Sequence, residues 1–329
     1  MANFKDIIGQ EQIKKHLLEG IKKGNLSHAY IINGETGSGR RLLASALTKA
    51  LLCENRTEEG DACGICKSCI QVDSNSHPDV RFVTHEKVSI GIDDIREQLI
   101  NDITIKPYSS NYKVYIIPDS NKMTEQAQNA LLKTIEEPPS YATILLLTEN
   151  AENLLQTISS RCITLNTEPL RQEEIAQYLI RNLQMEPEQA KIAAGFCQGN
   201  VGKAIRFASS EDFQEMKRDT LQLLKRIDAM EITDIVSIIK ELSLRKGKIN
   251  EYLDLMLLWY RDVLMFKVTK DANLLLYRDE FKAISKQASV RNYEDIEKII
   301  KAIDKAKIRL SANVNFETAI ELLLLTIKD

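Results

Sequence analysis

The chain has 329 residues, enough for two or three domains that each bury a core. Its 44 basic and 47 acidic residues nearly cancel to a formal charge of −3, which excludes a global field drawing it onto nucleic acid or an anionic membrane. No run of about 18 apolar residues occurs, and the opening Met1-Ala2-Asn3-Phe4-Lys5-Asp6 lacks the apolar stretch of a signal peptide, so the expectation is a cytoplasmic protein with no membrane partner.

Residues 10–24 place Ile13, Leu17, Leu18 and Ile21 at helical spacing, with Gly24-Asn25 as a stop. The apolar run Ala29-Tyr30-Ile31-Ile32 follows, then Gly34-Glu35-Thr36-Gly37-Ser38-Gly39-Arg40-Arg41, then a helix-like run from Leu42. Strand, glycine-rich turn, helix is the setting of a phosphate-binding loop, in which backbone N–H groups converge on phosphate oxygens at a helix N-terminus. The working pattern G-x-x-x-x-G-K-[ST] uses its Lys for the β/γ-phosphates and its hydroxyl for Mg²⁺. Here Gly34, Gly37 and Gly39 are in place, but Arg40 stands for the Lys and Arg41 for the Ser/Thr. A planar guanidinium is no substitute for a compact ammonium, and arginine cannot ligate a metal. The expectation is a degenerate loop that binds ATP weakly or not at all.

Cys53, Cys63, Cys66 and Cys69 form the next feature, with C-x-x-C-x-x-C spacing in the last three. Four thiolates suit tetrahedral Zn²⁺ and leave no open coordination position, so the expected zinc is structural. The insert, about 53–69, is polar and turn-rich around Glu58-Glu59-Gly60-Asp61, and metal would supply most of its folding energy. Reduced cysteines in a loop are the ordinary alternative. Cys162 and Cys197 lie apart and read as buried small apolar residues.

Further short apolar runs at Val80–Thr84, Val114–Ile117, Thr143–Thr148 and Cys162–Leu165 alternate with helical stretches at Leu42–Leu52, Ile92–Ile103, Thr124–Glu136 and Asn153–Ser159. That alternation predicts an α/β domain with a parallel sheet covered on both faces. In NTPases of this build a buried strand ends in an Asp that holds Mg²⁺; here Val114–Ile117 ends in Pro118-Asp119, and Pro118 offers no ligand. Strand signals stop near Leu165. The predicted organisation is a sheet domain over 1–165, a small helical segment over 166–207 and an all-helical segment over 208–329.

Several stretches together resemble the clamp-loader subunits of bacterial DNA polymerase III, a family of the AAA+ class, and within it the δ′ branch. They are Phe4-Lys5-Asp6-Ile7-Ile8-Gly9-Gln10, Ser27-His28-Ala29-Tyr30, the glycine loop, the cysteine insert, His77-Pro78-Asp79, Ala130–Pro139, Ser160-Arg161-Cys162 and Asn313-Val314-Asn315. The resemblance implies a RecA-like sheet domain, a helical lid and a collar that joins a hetero-pentamer with γ/τ and δ subunits. It implies that the assembly places a sliding clamp on primed DNA. It further implies that Arg161 is a finger acting in trans on a neighbour's ATP. Gly202 stands where active relatives carry a sensor arginine, in keeping with Arg40, Arg41 and Pro118.

Two other readings are distinguishable. A catalytically active γ/τ-type ATPase would use Arg40 in place of lysine and turn over ATP alone. A zinc-bearing DNA-binding protein acting alone would need a basic stripe, which the sequence lacks.

Overall fold

The computed structural model describes residues 3–209, 211–312 and 314–328. Asn313, part of the Asn-Val-Asn stretch noted in the sequence, and Met1-Ala2 lie outside the described residues. The chain divides into two compact units, Met1–Tyr178 with Gln198–Lys203, and Leu179–Cys197 with Ala204–Asp329.

The first unit is built on β1 (Ala29–Asn33), β2 (Val80–Phe82), β3 (Lys113–Ile117), β4 (Ala142–Thr148) and β5 (Ile163–Asn166), in the spatial order β2-β3-β4-β1-β5. All neighbouring pairs are parallel. The apolar runs foreseen as strands are these five, with ends shifted by a residue or two. Helix α1 (Glu11–Lys23) precedes β1; the crossovers that parallel pairing requires carry α2 (Arg40–Leu52), α3 (Lys67–Asp73), α4 (Ile92–Ile95), α5 (Glu125–Glu136) and α6 (Gln156–Ser159), and α7 (Gln172–Leu183) follows β5 and runs into the second unit. The expected helix over 92–103 is α4 running into a π-turn at Arg96–Ile100.

Alternation along each strand sorts the core into two layers. Tyr30, Ile32, Val114, Ile116, Leu145 and Leu147 pack with Leu17 of α1 and Leu43 and Leu47 of α2. Ala29, Ile31, Tyr115, Ile117, Ile144 and Leu146 pack on the other face with Ile95, Leu99, Leu131 and Ile135. All seven residues of β4 are buried, as befits the middle strand. An α/β parallel sheet covered on both faces is the class the sequence pattern predicts.

Among the described residues the second unit's regular elements are helices: α8 (Pro187–Phe196), α9 (Val201–Ser209), α10 (Glu211–Arg226), α11 (Ile232–Leu244), α12 (Ile249–Thr269), α13 (Phe281–Val290), α14 (Tyr293–Ser311) and α15 (Phe316–Lys328), of which α9 begins in the first unit's residues. Phe196, Phe207 and Phe213 stack as a triad, with centroids 3.6 to 5.1 Å apart. Trp259 and Tyr260 of α12 are fully buried. The Trp259 Nε1–H donates to Gln287 Oε1 at 2.8 Å, and Gln287 Nε2 donates to the Leu224 carbonyl at 2.8 Å. Trp259 is therefore a core residue here.

Candidate functional site

β1 ends at Asn33 and α2 begins at Arg40, so the glycine loop sits at the carboxyl edge of the sheet, at the mouth of a helix. Gly37 has φ +92°, and a Cβ there would lie 2.4 Å from Asn200 Oδ1, so glycine alone fits. Arg40 turns inward: its side chain is 11% exposed, and Nη2 lies 3.5 Å from Glu149 Oε1. Its Nη1 is buried and makes no hydrogen bond among the described residues. Burial lowers the Arg40 pKa, while the charges of Glu149 and Asp119 act to raise it. Arg41, the next residue, is exposed.

The loop is tied to its surroundings on several sides. Thr36 Oγ1 hydrogen-bonds to Glu149, and the Ser38 and Thr167 hydroxyls are 2.9 Å apart. Asn200 Nδ2 donates to the Thr36 carbonyl and the Gly202 N–H to the Gly37 carbonyl, each at 2.9 Å. A Cβ on Gly202 would approach Gly37 Cα to 2.5 Å, so a side chain at that position collides with loop backbone. Lys203 Nζ is 3.6 Å from Glu35. At the end of β3, Asp119 faces His85 Nε2 at 3.7 Å and Lys122 Nζ at 3.6 Å. Pro118 beside it has no ligand atom to offer.

The four insert cysteines converge: their Sγ atoms all lie within 4.8 Å of one another. Cys53 to Cys66 and Cys63 to Cys69 are each 3.9 Å. A tetrahedral site with Zn–S bonds of about 2.3 Å has S···S edges of about 3.8 Å, so the spacing fits. Backbone N–H groups of Cys63, Cys66 and Cys69 point at the sulfurs of Cys53, Cys63 and Cys66, at 3.3 to 3.5 Å, a set of donors that favours thiolates. A hydrogen bond from the Ile65 backbone leads in pulling the Cys63 thiol down to about 6, whereas burial pushes Cys53 and Cys69 up. This donor set can hold one metal ion such as zinc. The insert also grips the chain's start: Asp61 accepts the backbone N–H groups of Phe4 and Lys5, and Asn3 Nδ2 donates to the Ala62 carbonyl. Cys197 is buried as expected, while Cys162 is only half-buried, and burial raises its pKa to about 12.

Arg161 follows α6 and precedes β5. Its Nε lies 2.8 Å from Glu136 Oε1, and its Nη1 donates to the Thr157 carbonyl at 2.9 Å and to Ser160 Oγ at 3.2 Å. The side chain is 40% exposed. Tyr30 pairs with Ile163, which sets Arg161 level with His28 at the amino edge of the sheet. Gly34 lies six residues further along, about 20 Å at roughly 3.3 Å per strand residue. The arginine and the loop occupy opposite edges.

A family model described as "DNA polymerase III, delta subunit" matches residues 9–171. The DNA polymerase III subunit delta′ of Bacillus subtilis is 32% identical over 325 residues, covering 97% of this chain and 96% of that protein. The chain belongs to the DNA polymerase III δ′ family. Outside δ′, the subunit tau/gamma of Haemophilus influenzae is 33% identical over 208 residues, covering 61% of this chain and 30% of that protein. A solved DNA polymerase III, gamma subunit-related protein of Thermotoga maritima aligns at 19% identity with a TM-score of 0.49, over 97% of this chain and 99% of that one.

In this δ′-family chain the structure holds Gly34, Gly37, Gly39 and Arg40 in one loop and the four cysteines in one cluster, and sets Arg161 at the opposite edge of the sheet from the loop. Sequence reasoning missed Glu149, Asn200 and Asp61. Glu149 comes next to the loop only because β4 pairs with β1, Asn33 opposite Thr148, and that strand order is invisible to periodicity.

Proposed function

We propose that this chain is a δ′ subunit of a DNA polymerase III clamp loader, a ring member that does not hydrolyse ATP itself and completes a neighbour's site with Arg161. The observation that carries this reading is the opposition of the two edges. Its own loop has an arginine at each position that elsewhere serves phosphate and Mg²⁺, and Arg161 is too distant to serve that loop. An exposed arginine anchored by Glu136 suits a site on another chain. Arginine fingers of this kind contribute about 10³–10⁵-fold in the best-studied NTPases.

In this reading zinc bound by Cys53, Cys63, Cys66 and Cys69 is structural and holds the insert together. Residues 166–207 serve as a lid and residues 208–329 as a collar joining γ/τ and δ partners. The assembled cytoplasmic machine acts on the sliding clamp and primed DNA, and binds ATP weakly or not at all in this chain's own loop.

The test is reconstitution with γ/τ and δ subunits. Arg161→Ala should lower ATP turnover at the one partner site it faces at least tenfold (~1.4 kcal/mol of transition-state stabilisation), with Arg161→Lys failing to restore it. Unchanged turnover with normal assembly refutes the finger. The second reading, a γ/τ-type active ATPase, draws on the retained Gly34 and Gly39; it is selected if the purified chain alone hydrolyses Mg·ATP in an Arg40-dependent way.

A further inference from the structure

At the mouth of the glycine loop stands a carboxylate that the sequence pattern does not ask for. β4 runs parallel to β1 with Asn33 opposite Thr148, and the Gly34 N–H donates to the Thr148 carbonyl at 3.1 Å, so Glu149 emerges beside the first glycine. Its Oε1 is 3.5 Å from Arg40 Nη2 and receives the Thr36 hydroxyl. The first partner stands at the lysine position, whose side chain meets phosphate oxygens in a working loop, and the second is a hydroxyl within the glycine turn itself. Arg40 also keeps an unsatisfied, buried Nη1. The loop thus presents cationic and donor groups to one anion, and the anion in reach belongs to the chain.

We propose that Glu149 acts as a built-in anion that takes the phosphate position of this loop and keeps oligophosphates out. The inference rests on the non-hydrolysing reading above and deepens it by assigning the exclusion to one side chain. A carboxylate beside Arg40 neutralises the cation an incoming phosphate would need, and adds like-charge repulsion at the same spot. Glu149 is 55% exposed, so the pair is satisfied without burying the carboxylate deeply. The excluded class is a diphosphate or longer chain, free or on a nucleoside, and not a metal chelate, since Arg41 and Pro118 supply no Mg²⁺ ligand. Asn200 and Gly202 bind the Thr36 and Gly37 carbonyls from outside the turn, through contacts that do not involve Glu149.

The experiment is calorimetric titration of inorganic pyrophosphate and of ADP, without added magnesium, into the full chain and its Glu149→Gln and Glu149→Ala variants. Both variants should bind at least about tenfold more tightly than the wild type, the scale expected when a close opposing charge is removed. Adding Arg40→Ala to Glu149→Ala should abolish the gain. Equal affinity in all three chains, including equal absence of binding, overturns the proposal, as does a gain that survives Arg40→Ala. ATP turnover measured on the same wild-type sample separates the two claims. Hydrolysis by the wild type sinks the non-hydrolysing reading, while no hydrolysis with unchanged anion affinity sinks only the role of Glu149.

Discussion

Asp79, immediately before β2, offers a sharp test of how this sheet edge is held. The residue is 1% exposed. Its Oδ1 accepts the Tyr108 N–H at 2.5 Å; its Oδ2 accepts the Ser109 N–H at 2.8 Å, the Ser110 N–H at 3.0 Å and both serine hydroxyls at 3.1 Å. In Asp79→Asn the side chain can turn its amide oxygen to the Ser109 and Ser110 N–H groups, but an NH₂ then faces the Tyr108 N–H. One lost bond to a charged acceptor, about 1.5 kcal/mol, and the change of the other two from charged to neutral acceptor, about 0.75 kcal/mol each, give a loss of about 3 kcal/mol. The serine hydroxyls are set at zero, because they can turn to water.

The pH dependence follows from the same contacts. Burial alone would raise the Asp79 pKa, but the Tyr108 and Ser109 N–H donors and the serine hydroxyls outweigh it and hold the carboxyl below the usual carboxylate range. The folded pKa is thus depressed, so the contribution is full above the unfolded value of about 3.9 and disappears as pH falls through the folded value. Urea unfolding followed by far-UV circular dichroism should show a gap of about 3 kcal/mol between wild type and variant at neutral pH, narrowing below about pH 4. Hydrogen exchange at residues 108–110 should accelerate in the variant. A gap under about 1 kcal/mol, or one that stays constant into acid, would refute the reasoning.

Cys66→Ser should abolish the roughly one zinc per chain expected in metal analysis, and should speed amide exchange at Phe4 and Lys5, whose N–H groups Asp61 holds; a folded wild type that binds no metal contradicts this. Gly202→Ala places a methyl 2.5 Å from Gly37 Cα and should destabilise by about 1–3 kcal/mol; an unaltered melting temperature would deny the close approach. Gln287→Leu removes the partner of both Trp259 and the Leu224 carbonyl and should cost about 2–4 kcal/mol. Fluorescence of the single tryptophan during denaturation reads that change, and an unmoved midpoint counts against it.

The strands were legible because Ala29–Asn33 or Thr143–Thr148 are short apolar runs bounded by turn residues, and buried parallel strands leave that trace. The cysteine cluster was legible because its four thiols fall within 17 residues, three of them at C-x-x-C-x-x-C spacing. Two kinds of feature were not. Helix α3 has seven residues, too few for a helical period to emerge, and α4 hides its π-turn because Leu99 and Ile100 keep the apolar spacing of an ordinary helix. Glu149, Asn200 and Thr167 reach the loop from 113 to 165 residues away, through strand order and chain return. No local pattern encodes that distance.

A parallel sheet has two unlike ends, and here each end carries a different tool: a closed glycine turn at one, an outward arginine at the other. In the proposed ring such a chain would give an arginine without itself using one. If the proposed roles hold, one copy would place an arginine toward one neighbour and a loop without Mg²⁺ ligands toward the other, so the ring would carry one seam unlike the rest.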